Sequence, residues 1–357
     1  SKPRGLPVTT LSWIKAKTLD IGFDASFLNG RLSLTADYFR RIRTGLPESR
    51  YDVLIPTETG FSLPKESLNS DMTTGYDLIL NWNDQVGDFS YSLGYNMTYA
   101  RFYDWHQYKP RFSNSWDEYR NSKDERFGNL TWLYEAVGQF QSWDEIASYP
   151  IDNDGKGNKT LRPGDIKYRD VNGDGVINDM DKRPIGYQRG TTPTLNFAFN
   201  FYFNWKGFDL AFDLTGGAFN SYSRTSEVQA PFHGGGNNPQ YMMEDTWHLS
   251  DIWDADSELI PGKYPTILLN NSGHSNYWES TFWTTNVRYL KMKNLEFGYN
   301  FPKVWLDKIH MSNLRVYFSA QNLFTLTNTD LDPEVDKDTG IAYPTNRVMS
   351  IGLNLKF

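Results

Sequence analysis

Side chains that alternate apolar and polar, residue by residue, over long stretches leave this chain few folds to choose from. Leu195, Phe197, Phe199, Phe201, Phe203 and Trp205 alternate with Asn196, Ala198, Asn200, Tyr202 and Asn204. At the end of the chain Ile351, Leu353, Leu355 and Phe357 alternate with Ser350, Gly352, Asn354 and Lys356. Successive side chains of an extended strand point to opposite faces, so each stretch has one greasy and one wet face. A strand standing between lipid and a water-filled lumen needs that pattern. The terminal stretch, closing on an aromatic residue, predicts the last stave of a transmembrane β-barrel.

The same period runs through about nine segments, near residues 18–28, 32–43, 74–83, 89–103, 194–205, 208–219, 287–301, 313–326 and 347–357. Asn29-Gly30 predicts a type I′ turn between the first two. Lys291 and Lys293 disturb the seventh and predict a bulge, and 302–311 predicts a short link with a helical turn. The connections alternate short and long, with long ones at 45–72, 104–192, 220–286 and 327–346. Barrels place tight turns on the periplasmic side and long loops outside, which predicts extracellular loops and a periplasmic C-terminus.

The bulk composition agrees. Aromatic residues make up 16% of 357, enough for interfacial girdles. No run approaches the length of a membrane-spanning helix. A mean hydropathy of -0.61 is compatible with a barrel, in which only alternate strand residues meet lipid. With no cysteine there is no thiolate metal site or disulfide framework. A net charge of -7 without a basic stripe argues against nucleic acid. An odd strand count cannot close a bacterial barrel, and the first residues show no signal segment. Together these predict that 1–357 is the C-terminal part of a larger barrel in the outer membrane.

A soluble sandwich, a secreted calcium-stabilised carbohydrate-binding module, also alternates. Its strands are shorter, however, and its apolar faces share one core. A surface glycosidase would need two carboxylates facing one another across a cleft, and the sequence pairs none. The expected class is therefore not an enzyme.

One segment carries a sharp chemical pattern. Asp170, Asn172, Asp174, Asn178 and Asp181 stand at positions 1, 3, 5, 9 and 12 of a calcium loop; Gly175 is at 6 and the Val176 carbonyl at 7. The spacing can wrap hard oxygens around Ca2+, although Asp181 is shorter than the usual Glu. Pro163-Gly164 and Pro184 disfavour flanking helices, so the expectation is a structural ion in the longest external loop. The five histidines, His106, His233, His248, His274 and His310, are scattered. No GxSxG, GxGxxG or P-loop is present. Trp105, Trp116, Trp143, Trp247, Trp253 and Trp278 fall in external segments, where sugar stacking and loop packing are both open. Asp20, Asp24, Asp37, Asp209 and Asp213 lie on the wet faces and are expected to hydrate the path.

Several stretches resemble SusC/RagA-type TonB-dependent outer-membrane transporters. These are Gly164-Asp-Ile-Lys-Tyr-Arg-Asp-Val-Asn-Gly-Asp-Gly-Val-Ile-Asn178, Val287-Arg-Tyr-Leu-Lys-Met-Lys-Asn-Leu-Glu-Phe-Gly-Tyr-Asn-Phe-Pro302 and Leu314-Arg-Val-Tyr-Phe-Ser-Ala-Gln-Asn-Leu-Phe324. Asp332-Pro-Glu334, Leu32-Ser-Leu-Thr-Ala-Asp-Tyr-Phe39 and the terminal Ile351-Gly-Leu-Asn-Leu-Lys-Phe357 are similar to the same family. Ser350, Gly352, Leu355 and Phe357 resemble the signal read by the barrel-assembly machinery. The resemblance implies a barrel of about 22 strands with an N-terminal plug and a SusD-like surface lipoprotein as lid. It implies import of oligosaccharides or peptides, driven through TonB. The plug, the TonB-contacting segment and the first strands have no counterpart in these residues.

Overall fold

The computed structural model describes residues 8, 12–50, 52–108, 111–128, 130–190, 192–225, 229–232, 235–268, 273–329, 332–335 and 343–357. Nine long strands follow one another: β1 (Lys15–Phe27), β2 (Leu32–Ser49), β3 (Lys65–Val86), β4 (Phe89–His106), β5 (Leu195–Trp205), β6 (Phe208–Ser223), β7 (Thr284–Asn300), β8 (Asn313–Gln321) and β9 (Val348–Lys356). Each pairs antiparallel with its neighbours in chain order, from β1 at one edge to β9 at the other. The sheet is a single up-and-down wall. It is open among the described residues, because β1 pairs only β2 and β9 pairs only β8.

Several expected boundaries are corrected. Strands β2 and β3 continue pairing into the expected 45–72 loop, as far as Ser49↔Lys65. The eighth strand ends at Gln321, and Thr325–Thr327 is a separate short strand that pairs with β7. The first turn holds the expected Asn29-Gly30 pair at its centre: both take positive φ, 57 and 84, and Arg31 N–H bonds the Leu28 carbonyl at 3.3 Å; Leu28, at φ 56, adds a second overlapping turn in which Gly30 N–H bonds the Phe27 carbonyl at 3.1 Å. A type I′ turn needs positive φ at both central positions. The overlapping turns leave Phe27 opposite Leu32 on one face. The link after β7 contains the expected helical turn, Lys303–Leu306.

Register keeps the two faces apart across the whole wall. One row runs Ala25, Leu34, Leu80, Tyr95, Phe199, Leu214 and Met292; another joins Phe212, Leu295, Ala320 and Met349. The bulge expected near Lys291 is present. Asp213 pairs with Asn294 but Leu214 pairs with Met292, so Lys293 has no partner on β6. At the tight-turn end Trp82, Tyr91, Phe203, Trp205, Phe208 and Tyr299 gather, with Phe89–Phe203 and Phe208–Tyr299 ring centroids 6.1 and 4.5 Å apart. A second band, Tyr38, Tyr76 and Tyr99, crosses the other end. From Phe89 to Tyr99 is ten steps along β4. At about 3.3 Å each, tilted by about 40°, that is roughly 25 Å, the height of a barrel's apolar band.

Nothing among the described residues packs on the apolar face. Phe197, Phe199, Phe201 and Phe203 are only half-buried, by their neighbours in the sheet, while Ile351 is 83% exposed. The buried hydrophobic clusters consist wholly of loop residues. The remaining sheets are two-stranded pairs within the loops. A sandwich would need a second sheet about 10 Å away across this face, and among the described residues the wall has none. Among the described residues no helix is long and apolar enough to cross a membrane.

The opposite face carries a hydrogen-bonded polar lattice. Asn200 donates to Asp213 at 2.7 Å, Asn294 donates to the other Asp213 oxygen at 3.1 Å, and Thr35 donates to Asp24 at 2.6 Å. Asp20, Asp37 and Asp77 line a groove of about 530 Å³ with Arg41. Asp209 departs from its expected role. It is buried, held by the Arg315 guanidinium and by Asn300 at 2.9 Å, while Arg315 also bonds Glu296 at 2.6 Å. An aspartate so occupied ties β6, β7 and β8 together.

If the greasy face meets lipid, Phe201→Lys will cost about 2–4 kcal/mol of folding free energy in liposomes, the depth-dependent price of a midplane cation. Ala198→Lys on the wet face will cost under about 1 kcal/mol. Reversible denaturant unfolding into lipid vesicles measures both.

Candidate functional site: the outer loop assembly

The two longest connections fold together into one body above the wall. Tyr134, Ile166, Tyr168 and Ile177 from the first pack against Met242, Tyr264 and Trp283 from the second. Trp278 lies against Tyr134 and Tyr168, with centroids 5.0 and 5.6 Å apart. Trp247 is buried under Gly164, whose φ of +94 and missing side chain admit the indole. Trp247 and Trp278 are therefore packing residues. Trp105 carries the Arg40 guanidinium 5.1 Å from its ring, Trp116 joins an aromatic cluster, and Trp143 and Trp253 are exposed.

Asn276, fully buried, is the polar hub of this body. Its side-chain nitrogen donates to Asp165 at 2.6 Å and its oxygen accepts the Ile166 N–H at 3.0 Å. Its carbonyl accepts the Trp283 indole N–H at 2.6 Å. Tyr168 donates to the Ser275 carbonyl at 2.6 Å, and Asn153 bridges Ile166 and Tyr168 at 2.9 Å each. His274 accepts the Asn276 N–H through Nδ1 at 3.2 Å, so its Nε2 carries the proton toward the Thr160 carbonyl. Burial raises the Asp165 carboxyl above the usual carboxylate range, against the bonds from Asn276 and Arg162. Burial likewise pushes up the Tyr168 phenol.

The predicted calcium residues stand together on one tight loop. Asp170 accepts the N–H of Gly173 at 2.7 Å and of Gly175 at 2.8 Å; Asp174 accepts that of Val176 at 2.9 Å. This last bond, helped by Asn172, holds the Asp174 carboxyl below its ordinary range. The side-chain nitrogens of Asn172 and Asn178 converge on Asp174 Oδ2 at 2.9 and 3.3 Å, and Asn178 also reaches the Val176 carbonyl at 3.2 Å. Turning both amides over would present oxygens to the same point, giving up the bonds their oxygens accept from Asp174 and Met180 N–H. Asp181 faces elsewhere. Fully buried, it accepts Val171 N–H at 2.8 Å and Asn178 N–H at 2.9 Å and so closes the loop backbone. Among the described residues no three acidic or imidazole side chains form a metal cluster. The donor set for an ion would therefore combine two carboxylates with amide and carbonyl oxygens.

A neighbouring loop shares this architecture. Asp152 N–H meets the Gly175 carbonyl at 2.8 Å and the Asp152 carbonyl meets Ile177 N–H at 2.9 Å. Burial works against a charged Asp154, but bonds from Thr160, Lys156 and Asn158 outweigh it and hold the carboxyl at about 2.

The last loop is fastened to the wall by a buried lysine. Lys291 Nζ lies 3.3 Å from Asp332, 3.0 Å from Glu334 and 2.5 Å from Thr345, and Lys293 reaches Glu334 at 2.5 Å. The disturbed alternation at these lysines was the signal for this site. Asn276 gave no such signal, since its partners lie more than a hundred residues away.

A sheet greasy on one face and wet on the other, with its packed core confined to loops at one end, is the wall of a transmembrane β-barrel. Comparison with known proteins defines which kind. No protein-family model matches the chain. The TonB-dependent receptor P3 of Formosa agariphila is 26% identical over 97% of this chain and 34% of its own length. The TonB-dependent receptor SusC of Bacteroides thetaiotaomicron is 26% identical over 97% of this chain and 32% of its own. Among solved structures, the RagAB peptide importer in its open-open state superposes with a TM-score of 0.66 at 20% identity, over all of this chain and 37% of that one. The chain thus spans about a third of the length of its relatives. Over nearly its whole length it is similar to SusC/RagA-type TonB-dependent receptors, proteins of the outer membrane.

Replacing Asn276 by Ala leaves two buried partners unsatisfied, at about 1–3 kcal/mol each. Limited proteolysis of the intact protein will then cut both long loops faster while the barrel strands stay protected.

Proposed function

We propose that this chain forms part of the wall and the outer mouth of an importer that carries oligosaccharides or peptides across the outer membrane. The observation that carries the reading is the continuous apolar face, nine strands wide, with none of the described residues packed over it and a polar lattice behind it. The similarity to TonB-dependent receptors supports it. In this reading Asp20, Asp24, Asp37 and Asp213 keep the path wet, and the joined loops meet cargo at the mouth. The remainder of a barrel of about 22 strands, a plug reached by TonB and a SusD-like lipoprotein lid complete the machine. The loops face outward and Phe357 faces the periplasm.

The test is uptake. Cells whose transporter lacks 104–192 will lose import of its cargo while the barrel still assembles in the outer membrane. Extraction of the intact protein into plain buffer without detergent would overturn the reading.

We further propose that the 170–181 loop takes Ca2+ through Asp170, Asn172, Asp174, the Val176 carbonyl and Asn178, with Asp181 setting the backbone. Sites of this kind in extracellular modules bind at roughly 10⁻⁴ to 10⁻³ M. Removing calcium with a chelator is expected to raise protease cleavage within this loop, reversed by adding Ca2+ and abolished as a response in Asp170→Asn/Asp174→Asn. Cleavage indifferent to chelation would refute a structural ion.

A further inference from the structure

We propose that the cleft between the helix Ser115–Asn121 and the outer end of β4 binds an anionic saccharide, one bearing carboxylate or sulfate groups. The inference rests on the importer reading and names the chemistry of a cargo. The cleft encloses about 680 Å³, a normal size for a small-ligand site. Two hollows of about 470 and 640 Å³ adjoin it and share Arg120.

Its wall is built from rings with cations laid on them. Tyr119 and Trp132 meet edge to face at 5.3 Å, and Trp116 stands 6.4 Å from Trp132 at 86°. In the cleft Arg120 lies 4.4 Å from the centre of Trp132 and Arg126 lies 5.5 Å from that of Tyr119; outside it, beside the adjoining hollow, Arg183 lies 5.1 Å from the centre of Trp116 and donates to the Met180 and Lys182 carbonyls. A guanidinium stacked on a ring uses its flat face and keeps its in-plane N–H groups for an oxyanion. Among the described residues none of these three arginines is ion-paired to a carboxylate. Burial disfavours the charge on Arg120, and only the fields of Asp179 and Glu279 oppose that; an anion arriving there would relieve it. Lys123 adds an exposed cation, while Asp104 and Glu125 also reach the wall. Glu125 is turned toward His106, 3.9 Å away.

The rings and the cations together select the ligand. Aromatic faces take the apolar faces of sugar rings, and the guanidinium edges take an acid group in a bidentate manner. A peptide would ordinarily add itself to a free strand edge. Here that edge is filled: β5 leaves β4 at Tyr99, and Arg126–Phe127 takes its place against Tyr103 and Asp104.

The test uses the intact transporter in detergent, titrated calorimetrically with a trigalacturonate, a sulfated trisaccharide, a neutral trisaccharide and a glutamate-rich tripeptide. The expected result is binding of an acidic saccharide that weakens with salt, carboxylate or sulfate being told apart by the first two titrants. Arg120→Gln and Arg126→Gln are each expected to weaken it about tenfold. Lys123→Gln is expected to weaken it less, and Trp143→Ala to leave it unchanged. Because Arg126 also bonds the Tyr119 carbonyl, the exposed Lys123→Gln serves should that variant misfold. Equal affinity for the neutral sugar, preference for the peptide, or binding indifferent to Arg120→Gln and Lys123→Gln would overturn the proposal. If the transporter inserts and imports while these variants bind alike, the cleft assignment fails alone. If it neither inserts nor imports, the importer reading fails first.

Discussion

The separation of greasy from wet side chains across nine paired strands is the constraint on which everything else depends. A strand has a side-chain period of two, so a slip of one residue in any pair would carry a whole row to the wrong face. Along β4, β5 and the paired part of β6 the register makes no such slip: Phe199 sits between Tyr95 and Leu214, and Asn200 between Gly94 and Asp213. In water such a sheet would have to bury its apolar face against a second layer. In hydrocarbon it needs none, and the backbone is satisfied strand to strand.

The loops obey a different rule. They stand in water and build an ordinary core, with Tyr168, Trp283 and Met242 at its centre and Asn276 tying the polar groups. The chain therefore contains two solvents' worth of design. Pinning matters here, because a surface made from segments far apart in sequence holds its shape only if those segments are tied to one another. The buried Lys291 does the same for the last loop, fastening Asp332 and Glu334 to the wall.

What could be read in advance follows from range. Alternation is local, so the nine staves, the bulge at Lys293 and the helical turn after β7 were legible from neighbouring residues. Strand ends were not. β2 and β3 continue through Thr44 and Ser70 to Ser49 and Lys65, where register slips and polar residues hide the period. The oxygen-rich loop was legible as a turn with calcium spacing, but not the burial of Asp181, whose partners Val171 and Asn178 are backbone groups. Arg315 capturing Asp209 and Asn276 joining two loops are contacts across about a hundred residues or more, and no local pattern announces them.

The skipped residue on β7 has a consequence beyond its own hydrogen bonds. Below it Leu295 and Phe297 look toward lipid; above it Met292 does, and Lys291 looks inward. Straight counting would have sent Met292 inward and Lys291 into oil. The extra residue works as a phase correction, letting one stave carry two spellings of the same face. A family of such walls can therefore gain or lose single residues in a stave only where a neighbouring irregularity absorbs the shift, and otherwise must change length in twos.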